Sequence, residues 1–291
     1  MFLNLFGEYL VGEGLINEDQ FTKIKEAQNK TRVKLGLIAV SEKMLTEKQA
    51  DEVNRKQAVM DKRFGDIAIE LGYLTGDQVS KLLDLQGNAY MRFCQTANDL
   101  DILSLADIEK ALEAYCGKYG FSAENKEKFK ADDIDGIIPL FLDGIDKDTV
   151  DLVAVAVRTI NRLISTDLSI GTAKKVDEYT CDYVAYQGMS GDFNILTAFS
   201  GSVEGVLKIA DSFAGETFEQ VDEDALDSVG EFINIVNGLY ATALSYRKVK
   251  VELLAPHLVS TSSTLPDGPK VVVPLKIENK SVELVINVIN A

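Results

Sequence analysis

The chain has 291 residues, 46% of them hydrophobic, with a formal charge of −16 and a single histidine. That length favours two domains, and the apolar content lets each bury a core. Residues 1–120 hold 15 Lys/Arg against 19 Asp/Glu and residues 121–291 hold 15 against 27, which excludes general nucleic-acid binding by the second half, because phosphate contacts need clustered Lys and Arg.

The first residues, Met1 to Glu8, carry no basic n-region and do not read as a signal peptide. No run approaches the roughly 18 apolar residues of a membrane span, so no membrane insertion is expected. Cys94, Cys116 and Cys181 are odd in number, far apart and without metal spacing; a reduced, cytoplasmic protein is the simple reading. One histidine, His257, excludes a multi-histidine zinc site, and nothing near it suggests a catalytic triad.

From the start the first half repeats itself with a 29-residue period. The segment Val11 to Gln20 aligns with Val40 to Gln49 and with Ile69 to Gln78. Each copy closes on a glutamine, Gln28, Gln57 or Gln86, and opens on a similar triplet: Leu5-Phe6-Gly7, Lys34-Leu35-Gly36 and Arg63-Phe64-Gly65. A faded fourth copy follows, with Arg92-Phe93-Cys94, Leu103 and Tyr115 at the matching offsets. Self-similarity at such a period marks stacked supersecondary units. Each unit reads as two helices, with Thr46 and Thr75 as N-caps of the second. No proline occurs before Pro139, which suits an all-α repeat bundle over residues 1–120.

The copies at 34–57 and 63–86 resemble the MshEN-type N-terminal domain of type II secretion and type IV pilus ATPases, which carries two 24-residue motifs separated by five residues. The resemblance implies cyclic di-GMP as a ligand, held by Lys34, Leu35, Gly36, Gln57, Arg63, Phe64, Gly65 and Gln86. Lys34 departs from the family's Arg, replacing a planar fork by a point charge, and Lys43 stands where the family often has Gly. A bundle that only docks or dimerises stays open as the alternative.

Residues 121–145 read as a polar connector. From 146 a domain of mixed helix and strand begins. Asp146–Ser165 carries a helical apolar stripe, and short β-type runs follow at 168–174, 179–186 and 193–199, with a turn at Gly191-Asp192. Gly201-Ser202 opens a helix over 202–215, and a second spans about 222–245. Three more strand-like runs lie at 249–254, 270–277 and 282–288, the last two joined by a hairpin turn at Asn279-Lys280. This order predicts an α/β or α+β layer fold, helices covering one sheet.

The helix over 222–245 carries the chemistry. Asp227, Glu231, Asn234 and Gly238 are spaced four, three and four apart and fall on one narrow stripe. Leu226, Val229, Ile233, Val236, Tyr240 and Leu244 form an apolar stripe roughly 150° away, at about 100° per residue. The helix can thus bury one side and offer a carboxylate, an amide and a glycine gap on the other. A solvated helix face is the bland alternative.

Asp227-x-x-x-Glu231-x-x-Asn234-x-x-x-Gly238, with the downstream segment Val251 to Val259, resembles the CheX/CheC/FliY family of chemotaxis phosphatases over about 130–291. The earlier helix offers no second copy, since Arg158 stands where Glu belongs ahead of Asn161. The resemblance implies hydrolysis of phospho-aspartate on a CheY-like response-regulator receiver, which supplies its own Mg²⁺ and an active-site lysine. On that resemblance Glu231 would pair with that lysine, Asn234 would reach the acyl phosphate and align a water, Asp227 would support the site edge or contact the partner, and Gly238 would allow close approach of a neighbouring element. A homodimer through an exposed sheet edge is also implied, as is the alternative of a non-catalytic adaptor linking a receiver to a secretion, pilus or motility component.

Overall fold

The computed structural model describes residues 1–28, 31–57, 59–60 and 62–289. Two compact units divide at Asp133 and Ile134.

The first unit is helical and its repeat is structural. Helices α1 (Phe2–Gly12) and α2 (Glu18–Gln28), α3 (Leu35–Ser41) and α4 (Glu47–Gln57), α5 (Phe64–Glu70) and α6 (Gly76–Asp84), and α7 (Ala89–Asp99) and α8 (Leu105–Lys118) form four hairpins, followed by α9 (Ala123–Lys130). Two residues past the end of the first helix of each hairpin stands a residue in the left-handed region: Gly14 (φ 69°), Lys43 (φ 57°), Gly72 (φ 70°) and Asp101 (φ 52°). The chain turns there because the next amide reaches back to a carbonyl five residues earlier, as in Met44 to Ala39 (2.9 Å) and Tyr73 to Ala68 (2.9 Å). The second helix of the first three opens on a reciprocal cap, and α8 on a one-way cap in which the Asp107 amide donates to Ser104 Oγ. Asn17 with Gln20, Thr46 with Gln49 and Thr75 with Gln78 each exchange side-chain and backbone hydrogen bonds. Thr46 and Thr75 are therefore N-caps, as their spacing predicts. Segment 121–145, read as a connector, holds α9, the single turn α10 (Ile134–Ile137) and a 3₁₀ turn over Ile138–Phe141.

The second unit is an antiparallel sheet covered by helices on one face. Its long helices are α11 (Lys147–Leu163), α12 (Val203–Ala214) and α13 (Glu223–Tyr246), each capped by the side chain before it, Asp146, Ser202 and Asp222 respectively. The strands are β1 (Leu168–Ile170), β2 (Lys174–Val176), β3 (Thr180–Cys181), β4 (Val184–Gly191), β5 (Asn194–Gly201), β6 (Val251–Leu253), β7 (His257–Val259), β8 (Ser263–Thr264), β9 (Lys270–Ile277) and β10 (Lys280–Ile289). The main order is β1-β9-β10-β5-β4-β6, with β2 beside β9, β7 beside β4, and β3 paired to β8. All the described pairings are antiparallel, so of the two layerings expected this is the α+β form. The β9–β10 turn falls on Glu278 and Asn279, both at positive φ (49° and 64°), one residue earlier than Asn279-Lys280; two left-handed residues match the twist of a tight hairpin.

Alternation along the strands sends one set of side chains to the helices and the other to a second small core. Phe199 meets Phe232 of α13 at 5.5 Å between ring centroids. On the opposite face Val184, Leu196, Ala198, Leu265, Val272 and Val285 cluster beneath Val176 and Tyr179.

Candidate functional site

Helix α13 is held from several directions. Its stripe of Leu226, Val229, Ile233, Val236, Tyr240 and Leu244 is buried as predicted. Each such side chain contributes about 1.5–3 kcal/mol on leaving water, enough to fix the rotation of the helix about its axis. Ser228 Oγ donates to the Ala210 carbonyl of α12 at 3.0 Å. Tyr240 Oη donates to the Asp148 carbonyl of α11 at 2.9 Å; burial pushes this hydroxyl up, so it stays protonated and remains a donor. Arg247 pairs with Asp148 and Asp151 at 3.2 and 2.9 Å.

With that rotation fixed, Asp227, Glu231 and Asn234 are exposed and Gly238 is half-buried. The expectation that Gly238 admits a neighbouring element is corrected within the described residues: nothing lies within 4 Å of where its Cβ would stand. The close approach on α13 is at Gly230, where a Cβ would meet Leu258 Cδ2 at 3.1 Å and Pro256 Cβ at 3.4 Å.

The structure adds a residue that spacing alone does not reveal. Gln187 on β4 is 1% exposed and its amide is the hub of a small network. Its Nε2 donates to Asn234 Oδ1 at 2.9 Å and to the Leu254 carbonyl at 2.9 Å. Its Oε1 accepts from Asn237 Nδ2 at 2.9 Å. Leu254 lies where the edge of the sheet changes hands: β7 pairs with Val184–Tyr186 and β6 with Met189–Gly191. In the gap Leu254 donates its amide to the Gly188 carbonyl at 2.9 Å, while Gln187 takes up its carbonyl. The available signal was polarity in an apolar place: Gln187 shares a strand face with Ala185 and Met189, and Asn237 falls on the buried side of α13.

Histidine 257 sits on the edge strand β7 and stacks on Tyr186 at 4.9 Å. Arg158, at the position matching Glu231 on the earlier helix, pairs with Asp135 and lines a cleft of about 530 Å³ with Asn161, Arg162, Leu239 and Ala243. Among the described residues no group of three His, Cys, Asp or Glu side chains could hold a metal ion, and no helix is long and apolar enough to cross a membrane.

In the helical unit, Lys34 and Arg63 precede α3 and α5 as exposed N-cap residues without side-chain caps. The backbone N–H of Lys34 donates to Gln95 Oε1 at 3.0 Å, and its ammonium lies 3.4 Å from Asp99. Leu35 is half-buried and Phe64 buried. Gly36 faces Phe64, Gly65 faces Val79, Gln57 donates to the Lys62 carbonyl (3.2 Å) and Gln86 to that of Val33 (2.6 Å).

A carboxylate and an amide on one exposed helix face make a site suited to positioning groups on another molecule. Residues 183–276, which include this helix, match the family model described as chemotaxis phosphatase CheX. The second unit carries a CheX-like domain. No curated protein sequence matches the chain. Among solved structures, a CheC-like superfamily protein from Shewanella sp. PV-4 is 20% identical, with 50% of this chain and 100% of that one covered at a TM-score of 0.44. The chemotaxis protein CheX from Desulfovibrio desulfuricans is 15% identical over 50% and 100%, at 0.43. A CheX–CheY–BeF₃–Mg²⁺ complex from Borrelia burgdorferi is 15% identical over 48% and 96%, at 0.40.

Proposed function

We propose that the second unit hydrolyses phospho-aspartate on a CheY-like response-regulator receiver in chemotaxis or motility signalling. The observation that carries this reading is the joint exposure of Glu231 and Asn234 one turn apart on a helix inside the CheX-matching segment. Glu231 engages a lysine of the receiver, and Asn234 extends its amide to the acyl phosphate. Water attacks phosphorus in line with the departing aspartyl oxygen, the P–O bond to the aspartate breaks, and inorganic phosphate leaves. Such reactions are accelerated chiefly by positioning and charge stabilisation. Glu231 and Asn234 supply the positioning, and the receiver supplies Mg²⁺. In this reading the chain works in the cytoplasm.

The test is the decay of a phosphorylated receiver in Mg²⁺ with wild type and with Glu231→Ala and Asn234→Ala. Acceleration by wild type, strongly reduced in both variants, supports the reading; binding without acceleration leaves an adaptor. For the helical unit we propose cyclic di-GMP binding at Lys34, Leu35, Gly36, Gln57, Arg63, Phe64, Gly65 and Gln86. Titration with the dinucleotide tests it, with Arg63→Ala as the control. Dimerisation is read by light scattering.

A further inference from the structure

The Gln187 network does more than fill a gap. The Leu254 carbonyl is an acceptor only, so the Gln187 atom facing it must be the amide nitrogen. The second proton of that nitrogen points to Asn234, which must then present its oxygen inward. The Gln187 oxygen is left facing Asn237, which donates to it. One backbone carbonyl thus dictates the orientation of three side-chain amides in succession. Asn237 is fully buried, and among the described residues its own oxygen has no hydrogen-bond partner, so its amide is committed to this network through its nitrogen.

Resting on the phosphatase reading above, we infer that Gln187 is a positioning residue that locks Asn234 with its nitrogen outward, so that the group offered to the receiver is an N–H donor. A free asparagine amide turns about χ2 and presents oxygen or nitrogen with similar ease. A phosphoryl group bears only acceptor oxygens, and an inward-turned nitrogen would set oxygen against oxygen. Locking the amide removes the unproductive orientation before the receiver arrives, which is how preorganised donors lower a barrier.

Steady-state turnover of a phosphorylated receiver by wild type, Gln187→Met, Asn234→Ala and the double variant tests this. Methionine keeps the length and removes every hydrogen bond. The expected result is a kcat lowered at least tenfold in Gln187→Met, with KM within twofold of wild type. In the Asn234→Ala background Gln187→Met should cause no further loss, since Gln187 acts through Asn234. An unchanged kcat in Gln187→Met, or an equal loss in both backgrounds, overturns the inference. Wild type that fails to accelerate decay overturns the phosphatase reading instead. Independent of activity and of any variant's folding, hydrogen exchange of the side-chain amides by NMR reads the orientation in the wild-type chain: Gln187 Nε2 protons protected and Asn234 Nδ2 protons exchanging freely. The reverse pattern overturns the inference outright.

Discussion

Gly65 and Val79 face each other across a helical hairpin so closely that a Cβ on Gly65 would stand 2.7 Å from Val79 Cγ1. The same relation recurs fourteen residues apart in the other repeats. A Cβ on Gly7 would run into the ring of Phe21, and one on Gly36 would be in ordinary contact with Ala50 Cβ at 3.7 Å while crowding the Phe64 ring at 3.0 Å. The repeated glycine is therefore a packing residue whatever else it does. Valine has no flexible end to swing away, so Gly65→Ala should destabilise the helical unit by about 1–3 kcal/mol, the usual cost of overpacking. Thermal or urea unfolding checks this, and an unchanged midpoint would show that the hairpin opens more readily than its contacts suggest.

Lys43 offers the opposite outcome. It stands at φ 57° where two other copies of the repeat have glycine at φ 69° and 70°. A side chain in the left-handed region costs roughly 1–2 kcal/mol, part of which glycine returns as chain entropy on folding. Lys43→Gly should raise stability by about 0.5–1 kcal/mol, read as a higher unfolding midpoint with an unchanged denaturant slope.

These two positions also show what was legible in the sequence. The period, the helix pairs, the caps at Thr46 and Thr75 and the buried stripe of α13 all follow from spacing, because helix periodicity and capping are local. The strands at 270–277 and the hairpin after them follow for the same reason. The antiparallel order of the sheet does not, since strand pairing joins residues far apart, such as Leu168 with Ile277. Gln187 was hidden for a related reason. Its meaning lies in contacts with Asn234, Asn237 and Leu254, 47 to 67 residues away. Gly238 looked like a site of close approach because a glycine inside a helix invites that reading, yet the residue so used is Gly230.

The two glycines of α13 predict contrasting variants. Among the described residues nothing lies within 4 Å of a Cβ at Gly238, so Gly238→Ala should stabilise the second unit by about 0.5–1 kcal/mol through helix propensity. Gly230→Ala should not, because Leu258 and Pro256 stand in the way. If Gly238→Ala stabilises the chain yet slows dephosphorylation severalfold, the gap is used by the receiver and not by the fold.

In the helical unit, stability should depend on acid through Glu109. Burial pushes its carboxyl up, but hydrogen bonds from Lys126 (3.0 Å) and Tyr90 (2.8 Å) outweigh this and hold it below the usual carboxylate range. A carboxyl lowered in the folded state stabilises above its unfolded pKa of about 4.3, and that contribution fades as pH falls through the folded value. Glu109→Gln should lower Tm at neutral pH, and the gap to wild type should close below about pH 4. A gap that stays constant with pH would mean the ties are not electrostatic.

Asp227 and Glu231 should separate in kinetics. Both are exposed acids on one stripe of α13, but Glu231 lies one turn from Asn234 and Asp227 two. On the proposed mechanism Glu231 holds the receiver's lysine while phosphate is transferred to water, so Glu231→Gln should lower kcat and kcat/KM together. Asp227, at the rim, steers a charged partner without touching the reacting atoms. Rim charges change encounter more than chemistry, and exposed pairs contribute about 0.2–1 kcal/mol. Asp227→Asn should therefore raise KM by about two- to fivefold at low salt and leave kcat unchanged, with the difference shrinking as ionic strength rises and screens the exposed charge. If Asp227→Asn lowers kcat as Glu231→Gln does, the catalytic stripe is longer by a turn, and the receiver must lie along the helix rather than across it.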